Sequence, residues 1–156
     1  EVREKLLDIL DAVKPQFDVI VIDTGAGISD VVLYAVSMAT EVIVVATPEP
    51  TSMTDAYATI KVLAAQQSRE KLNLVVNQVT RPGDGRTICQ QLQQVVDRFV
   101  VSPTGVVPKL FFLGDIPFDA SVREAVRKRK LLLELHPGSA AALGVNQVAV
   151  RLLGRA

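Results

Sequence analysis

The sequence predicts an α/β fold, a mostly parallel sheet flanked by helices, and three observations lead there. Four short runs, at 17–22, 42–47, 72–77 and 110–114, are apolar at nearly every position, which suits strands covered on both faces. Stretches of helical periodicity alternate with them, and the joining segments are short. Buried strands alternating with helices form parallel sheets through crossover connections. The 156 residues are 49% hydrophobic and 22% charged, enough for a sizeable core and too apolar for wholesale disorder.

The elements follow in order. Val2, Leu6, Ile9, Leu10 and Val13 fall at helical spacing with Pro15 just beyond, predicting an amphipathic helix over 1–13. The run 17–22 reads as a strand, interrupted by Asp18 and ended by Asp23. A helix is expected at about 29–39, a strand at 42–47, and a helix at about 52–66. A strand at 72–77, a helix at about 86–100, a short strand at 110–114 and a helix at about 121–131 come next. The last helix belongs within 139–154, with Gly144 weakening its middle. Ser52 with Asp55, and Ser121 with Glu124, have the spacing of capping boxes. Pro82, Gly83 and Gly85 make 80–85 a loop, and Pro137 with Gly138 separates the last two helices.

Composition removes several function classes. Seventeen Lys plus Arg offset seventeen Asp plus Glu, so the chain is not built mainly to coat nucleic acid. The lone cysteine, Cys89, cannot form an internal disulfide or a cysteine-rich metal cluster, and it falls with Ile88 and Leu92 in an apolar helix pattern. His136 is the single histidine, which excludes H-E-x-x-H zinc chemistry. No apolar run is long enough to span a membrane. The chain opens at Glu1 directly on helix-like sequence, the pattern of a domain entered partway through.

The chemistry concentrates in Val19-Ile20-Val21-Ile22-Asp23-Thr24-Gly25-Ala26-Gly27. Apolar residues ending in aspartate at a strand's carboxyl end form a Walker B-like element. Such an aspartate holds magnesium, usually through water, and the glycines let the next loop approach a γ-phosphate. An ordinary strand-end aspartate followed by a glycine turn gives the same spacing. No G-x-x-x-x-G-K-[ST] occurs, and no glycine precedes a lysine. Without that lysine and its nest of amides, an aspartate cannot hold magnesium triphosphate strongly.

The whole stretch from Phe17 through Asp23-Thr24-Gly25-Ala26-Gly27-Ile28 resembles the second switch of MinD/ParA-type deviant Walker ATPases. Thr47-Pro48-Glu49-Pro50-Thr51 and Thr54-Asp55-Ala56-Tyr57 are similar to the flagellar-number regulators of the FlhG (FleN) subgroup. Val75-Val76-Asn77, Leu113-Gly114-Asp115-Ile116-Pro117-Phe118-Asp119 and Val122-Arg123-Glu124-Ala125-Val126 extend the likeness over essentially the whole chain.

The resemblance implies that 1–156 is the C-terminal portion of a single MinD-like P-loop NTPase domain, truncated before its P-loop and first switch. It further implies a magnesium-dependent ATPase that regulates flagellar number and placement, with ATP and Mg2+ as cofactors and an ATP-dependent homodimer. This fragment alone is expected to be inactive and to bind ATP poorly. Flagellar assembly proteins or a flagellar transcription regulator are the implied partners, without direct nucleic-acid contact. The implied location is cytoplasmic, with peripheral inner-face membrane association through segments beyond this chain. A non-catalytic interaction module in flagellar assembly, and a division-site or partitioning ATPase, are the alternatives.

By resemblance Asp23 is the Walker B residue supporting the magnesium shell, and Gly27 belongs to the γ-phosphate-sensing switch. Asn77 matches an adenine-contacting asparagine, although it also reads as a cap for its loop. Gln78 stands where many relatives have arginine. Pro117 and Asp119 match a second adenine-side segment, while Asp119 or Ser121 equally reads as a helix cap. Glu49 is either a partner-facing group or a solvated loop residue. Arg123, Arg127, Lys128, Arg129 and Lys130 form the main basic cluster, either a solvated helix face or a surface for an acidic partner or anionic lipid. In the resembled fold the P-loop strand lies between the strands at 18–23 and 42–47, so without it these are expected to re-pair, to take another chain into the gap, or to be completed by upstream residues of the protein.

Overall fold

The computed structural model describes residues 2–154, with side chains from Lys5 onward. Helix α1 (Val2–Val13) runs into a single 3-10 turn at Lys14–Gln16. After a stretch without regular structure come α2 (Asp30–Ser37), β1 (Ile43–Ala46), α3 (Pro50–Gln67), β2 (Lys71–Val79) and α4 (Asp84–Phe99). The chain continues through β3 (Lys109–Pro117), α5 (Ala120–Lys128), the single turn α6 (Leu132–Leu135) and α7 (Ala140–Leu153). The three strands form one parallel sheet, as the apolar runs predict, and their order is β1-β2-β3.

The core lies on one face of that sheet. Val44 and Ala46 of β1, with Leu72, Leu74 and Val76 of β2, meet Ile60, Leu63 and Ala64 of α3 and Leu92 and Val96 of α4. Removing this apolar surface from water is the main term stabilising the fold. On β3, α7 packs as well, and Gly144 explains itself there. A Cβ at Gly144 would stand 3.0 Å from the Asp115 carbonyl oxygen and 3.2 Å from Pro117 Cδ. The glycine weakens the helix intrinsically but lets its axis approach the strand. Among the described residues nothing comparable covers β1 on its other face, where Ile43 and Val45 are exposed.

The predicted strand at 17–22 does not form. Its residues are exposed and enter no strand ladder, Val21 at 84%. Backbone amides and carbonyls must find partners to be buried, and a lone apolar strand has none. Of the alternatives expected for 17–22 and 42–47, re-pairing does not occur. Of the helix expected over 1–13, Val2–Val13 is present and Glu1 lies outside the described residues, but Leu6, Leu7 and Ile9 on it are exposed too.

Both capping-box readings need correction. Helix α3 starts earlier, at Pro50 with Glu49 as N-cap, because proline is pre-set for the first helical turn. Ser52 instead accepts a hydrogen bond from the Thr47 amide at 2.9 Å, bracing the Thr47–Thr51 crossover from inside. Helix α5 is capped by Asp119, and Glu124 pairs with Lys128 rather than reaching back. Helix α2 has Ser29 as its cap. Its far end is held by polar contacts from α3 and the residues just beyond it: Arg69 Nη2 donates to the Val36 and Ala39 carbonyls at 2.9 and 2.8 Å, and Gln67 Nε2 to Leu33 O at 2.7 Å.

Candidate functional site

Parallel sheets gather ligand-binding groups where strand carboxyl ends meet helix N-termini. Asn77 and Pro117 both arrive at that edge. Asn77 opposes Ile116, and Val79 opposes Pro117, with a register shift between Asn77 and Val79 that leaves Gln78 outside the ladder. Gln78 takes a left-handed φ of 59°. Its amide donates to Asn77 Oδ1 at 2.8 Å. This bond fixes the orientation of the Asn77 amide, since a backbone N–H needs an acceptor. Asn77 Nδ2 makes no hydrogen bond to another described residue. It therefore presents a donor, and Oδ1 keeps a second lone pair, at the end of β2.

Next to it, the β3 end turns into α5. The Phe118 amide donates to Val79 O at 2.9 Å, leaving the Phe118 ring largely exposed beside Pro117. Asp119 is the hub of the turn. Its Oδ1 accepts from the Ser121 amide at 2.9 Å and the Ser121 hydroxyl at 2.5 Å, and its Oδ2 accepts from the Ala141 amide at 3.1 Å. One carboxylate thus satisfies orphan amides at the starts of both α5 and α7. The Ser121 hydroxyl, followed by the Ser121 and α7 amides, pulls its pKa down to about 2. The cap reading of Asp119 holds, and its side chain is committed to the two helices.

Sequence reasoning passed over two residues here. Gly85 lies in the first turn of α4, where an added Cβ would come within 2.6 Å of Asp115 Cβ. The sequence reading puts it in the 80–85 loop, but α4 begins at Asp84, and no local signal marks its neighbour on β3. Phe118 carried no periodic signal, since it is the residue between strand and cap.

The phosphate-side residues stand apart. Asp23 is exposed within the unpaired segment, and Gly27 takes a φ of 98° that favours glycine. Among the described residues, none of 18–28 forms a hydrogen bond or ion pair. No group of three or more His, Cys, Asp or Glu is placed to hold a metal among the described residues. The sheet-edge end of β2 therefore offers the polar atoms of Asn77, whereas Asp23 has no hydrogen-bonding or ion-pair partner among the described residues.

Other sequence readings resolve simply. Cys89 is buried, and burial raises its thiol pKa against a smaller opposing effect of Arg86. Glu49 is an exposed N-cap. His136 closes the turn after α6 and meets Glu124 at 3.1 Å. No described helix is long and apolar enough to cross a membrane.

Known proteins share this arrangement. A family model described as ParA, NUBPL iron-transfer P-loop NTPase, matches residues 3–153. The antiactivator FleN of Pseudomonas aeruginosa is 37% identical over 147 residues, covering 94% of this chain and 50% of FleN. The flagellum site-determining protein YlxH of Helicobacter pylori is 31% identical over 145 residues, covering 93% of this chain and 47% of YlxH. The chain thus spans about half the length of these curated relatives. Among solved structures, the MinD cell division protein of Aquifex aeolicus superposes with a TM-score of 0.74 at 24% identity, covering 99% of this chain and 61% of MinD. With the family match running nearly end to end, the chain belongs to the ParA/MinD-type P-loop NTPases.

Proposed function

We propose that residues 1–156 are the C-terminal portion of a MinD-like NTPase domain whose whole protein hydrolyses ATP and regulates flagellar number and placement. The observation that carries this reading is the unsatisfied strand. Among the described residues, 17–22 keep strand composition with no pairing, and β1 keeps one open edge and one uncovered face. A further segment supplying a central strand would satisfy both, and the sequence itself contains no phosphate-binding G-x-x-x-x-G-K-[ST] loop. The likeness to FleN and YlxH supports the flagellar assignment over a division-site role.

In the complete domain, Asn77 and the Pro117 backbone receive the adenine, and Asp119 shapes that wall by anchoring the turn rather than by touching the base. Asp23 supports the magnesium shell and Gly27 the γ-phosphate contact once a lysine-bearing loop is present. Magnesium, when bound, neutralises charge on the phosphates. ATP-dependent dimerisation, flagellar partners and visits to the membrane's inner face belong to the whole cytoplasmic protein.

Magnesium-dependent ATP titration of this chain beside the full gene product tests the reading. Binding and hydrolysis are expected from the full product and neither from the chain alone. Equal tight binding by both would overturn the division of the site, and no binding by the full product would overturn the ATPase assignment.

A further inference from the structure

The outer surface of α5 and α6 carries charge and apolar exposure that the fold does not use. The only residue α5 buries is Ala125. Val122 and Val126 stand one helical turn apart on its outside. Val126 is 70% exposed, and Leu131 (67%) and Leu133, just after the helix, are exposed as well. Arg123, Arg127, Arg129 and Lys130 lie on the same stretch, all exposed and none making a side-chain hydrogen bond or ion pair with a described residue. Lys128 is committed to Glu124 at 2.6 Å, and Glu124 also meets His136. Residues 120–136 hold five basic and two acidic residues in a chain whose formal net charge is zero.

The end of α5 adds an independent sign. The Lys130 amide donates to Ala125 O and the Arg129 amide to Val126 O, each at 3.1 Å. This is a Schellman closure, whose left-handed residue is usually glycine and whose next residue is usually apolar. Here Arg129 occupies the left-handed position, with φ 52°, and Lys130 the following one. A cation in the last turn complements the helix dipole, and Lys128 already supplies one. Dipole complementation does not call for an arginine where glycine is conformationally favoured.

We propose that α5 and α6 form a docking surface for an acidic amphipathic segment of a partner protein. Its carboxylates would meet Arg123, Arg127, Arg129 and Lys130, and its apolar stripe would cover Val122, Val126, Leu131 and Leu133. Charge complementarity selects the occupant. A bare polyanion would leave the valines and leucines exposed, and a bilayer would gain little from this short aliphatic strip without aromatic anchors, with Glu124 and Glu134 beside it. The surface follows β3, at the opposite edge of the sheet from β1, and the proposal does not rest on nucleotide binding.

The test is fluorescence anisotropy with the intact chain and a labelled Glu/Leu peptide whose leucines recur at helical spacing. The comparison probes are the same composition scrambled, poly-glutamate, and phosphatidylglycerol-containing vesicles. Saturable binding to the amphipathic peptide is expected, weakening with salt. The pair Arg123→Glu with Arg127→Glu should weaken it about tenfold or more, since reversing charge adds repulsion. Val126→Ser should weaken it several-fold, with circular dichroism unchanged because these side chains are exposed. Equal binding of the scrambled peptide or poly-glutamate, tighter binding of vesicles, or unaltered affinity in both variants would overturn the proposal.

Discussion

Residues 19–22 and 43–46 are nearly the same peptide, Val-Ile-Val-Ile against Ile-Val-Val-Ala, yet the first is exposed and unpaired and the second is a strand of the sheet. Composition does not separate them. Position does: β1 lies beside β2, whose amides and carbonyls complete its ladder, and α3 covers its inner face. The same contrast divides the candidate site. Asn77 and Pro117 are held by sheet register, whereas Asp23 and Gly27 hang on a segment with no described hydrogen bond. A strand is a relation between segments, so hydrophobicity predicts its location only when a partner is present.

The sharpest way to break this comparison is to truncate one aliphatic residue inside the sheet and one in the unpaired segment. Leu74→Ala, at a fully buried position of β2, should cost about 2–5 kcal/mol in urea unfolding. Val21→Ala should change stability by no more than about 0.5 kcal/mol. Similar losses at both would mean that 17–22 is packed in solution.

Glycines give a smaller contrast. Gly85→Ala forces a Cβ against Asp115 and should cost about 1–3 kcal/mol. Gly25→Ala meets nothing within 4 Å and should fall within about 0.5 kcal/mol of wild type. A stabilising Gly85→Ala would show that α4 and β3 sit farther apart.

The smallest effect is acid sensitivity on the sheet side of the comparison. Asp119 has a folded pKa lowered to about 2 from an ordinary 3.8. Its contribution is therefore complete above the ordinary value and is lost as pH falls from about 4 through about 2. Glu124, lowered mainly by Lys128, acts in the same direction. Urea midpoints from pH 5 to pH 2 should fall less steeply in Asp119→Asn than in wild type. Equal slopes would remove Asp119 as the source.

Much was legible before any coordinates. Three strands and their connecting helices fall where apolar runs and helical periodicity place them, and Cys89 is core. The motifs around Asp23, Asn77 and Pro117 identify the family because they are local strings. The caps were harder. Ser52 and Ser121 have the right neighbours in sequence, but Pro50 starts α3 sooner, and Asp119 reaches Ala141, 22 residues away. Gln78's departure from the ladder likewise depends on how β3 pairs across from it.

The sequence by itself determined the alternation of strands and helices, the family and the residue types at each strand end, because these rest on neighbours within a turn or a few positions. Only the tertiary structure decided that 17–22 stays unpaired, that one carboxylate caps two helices, and that basic and aliphatic side chains share an open face on α5 and α6. Backbone pairing and burial are satisfied between distant segments, and their outcome follows from which segments meet.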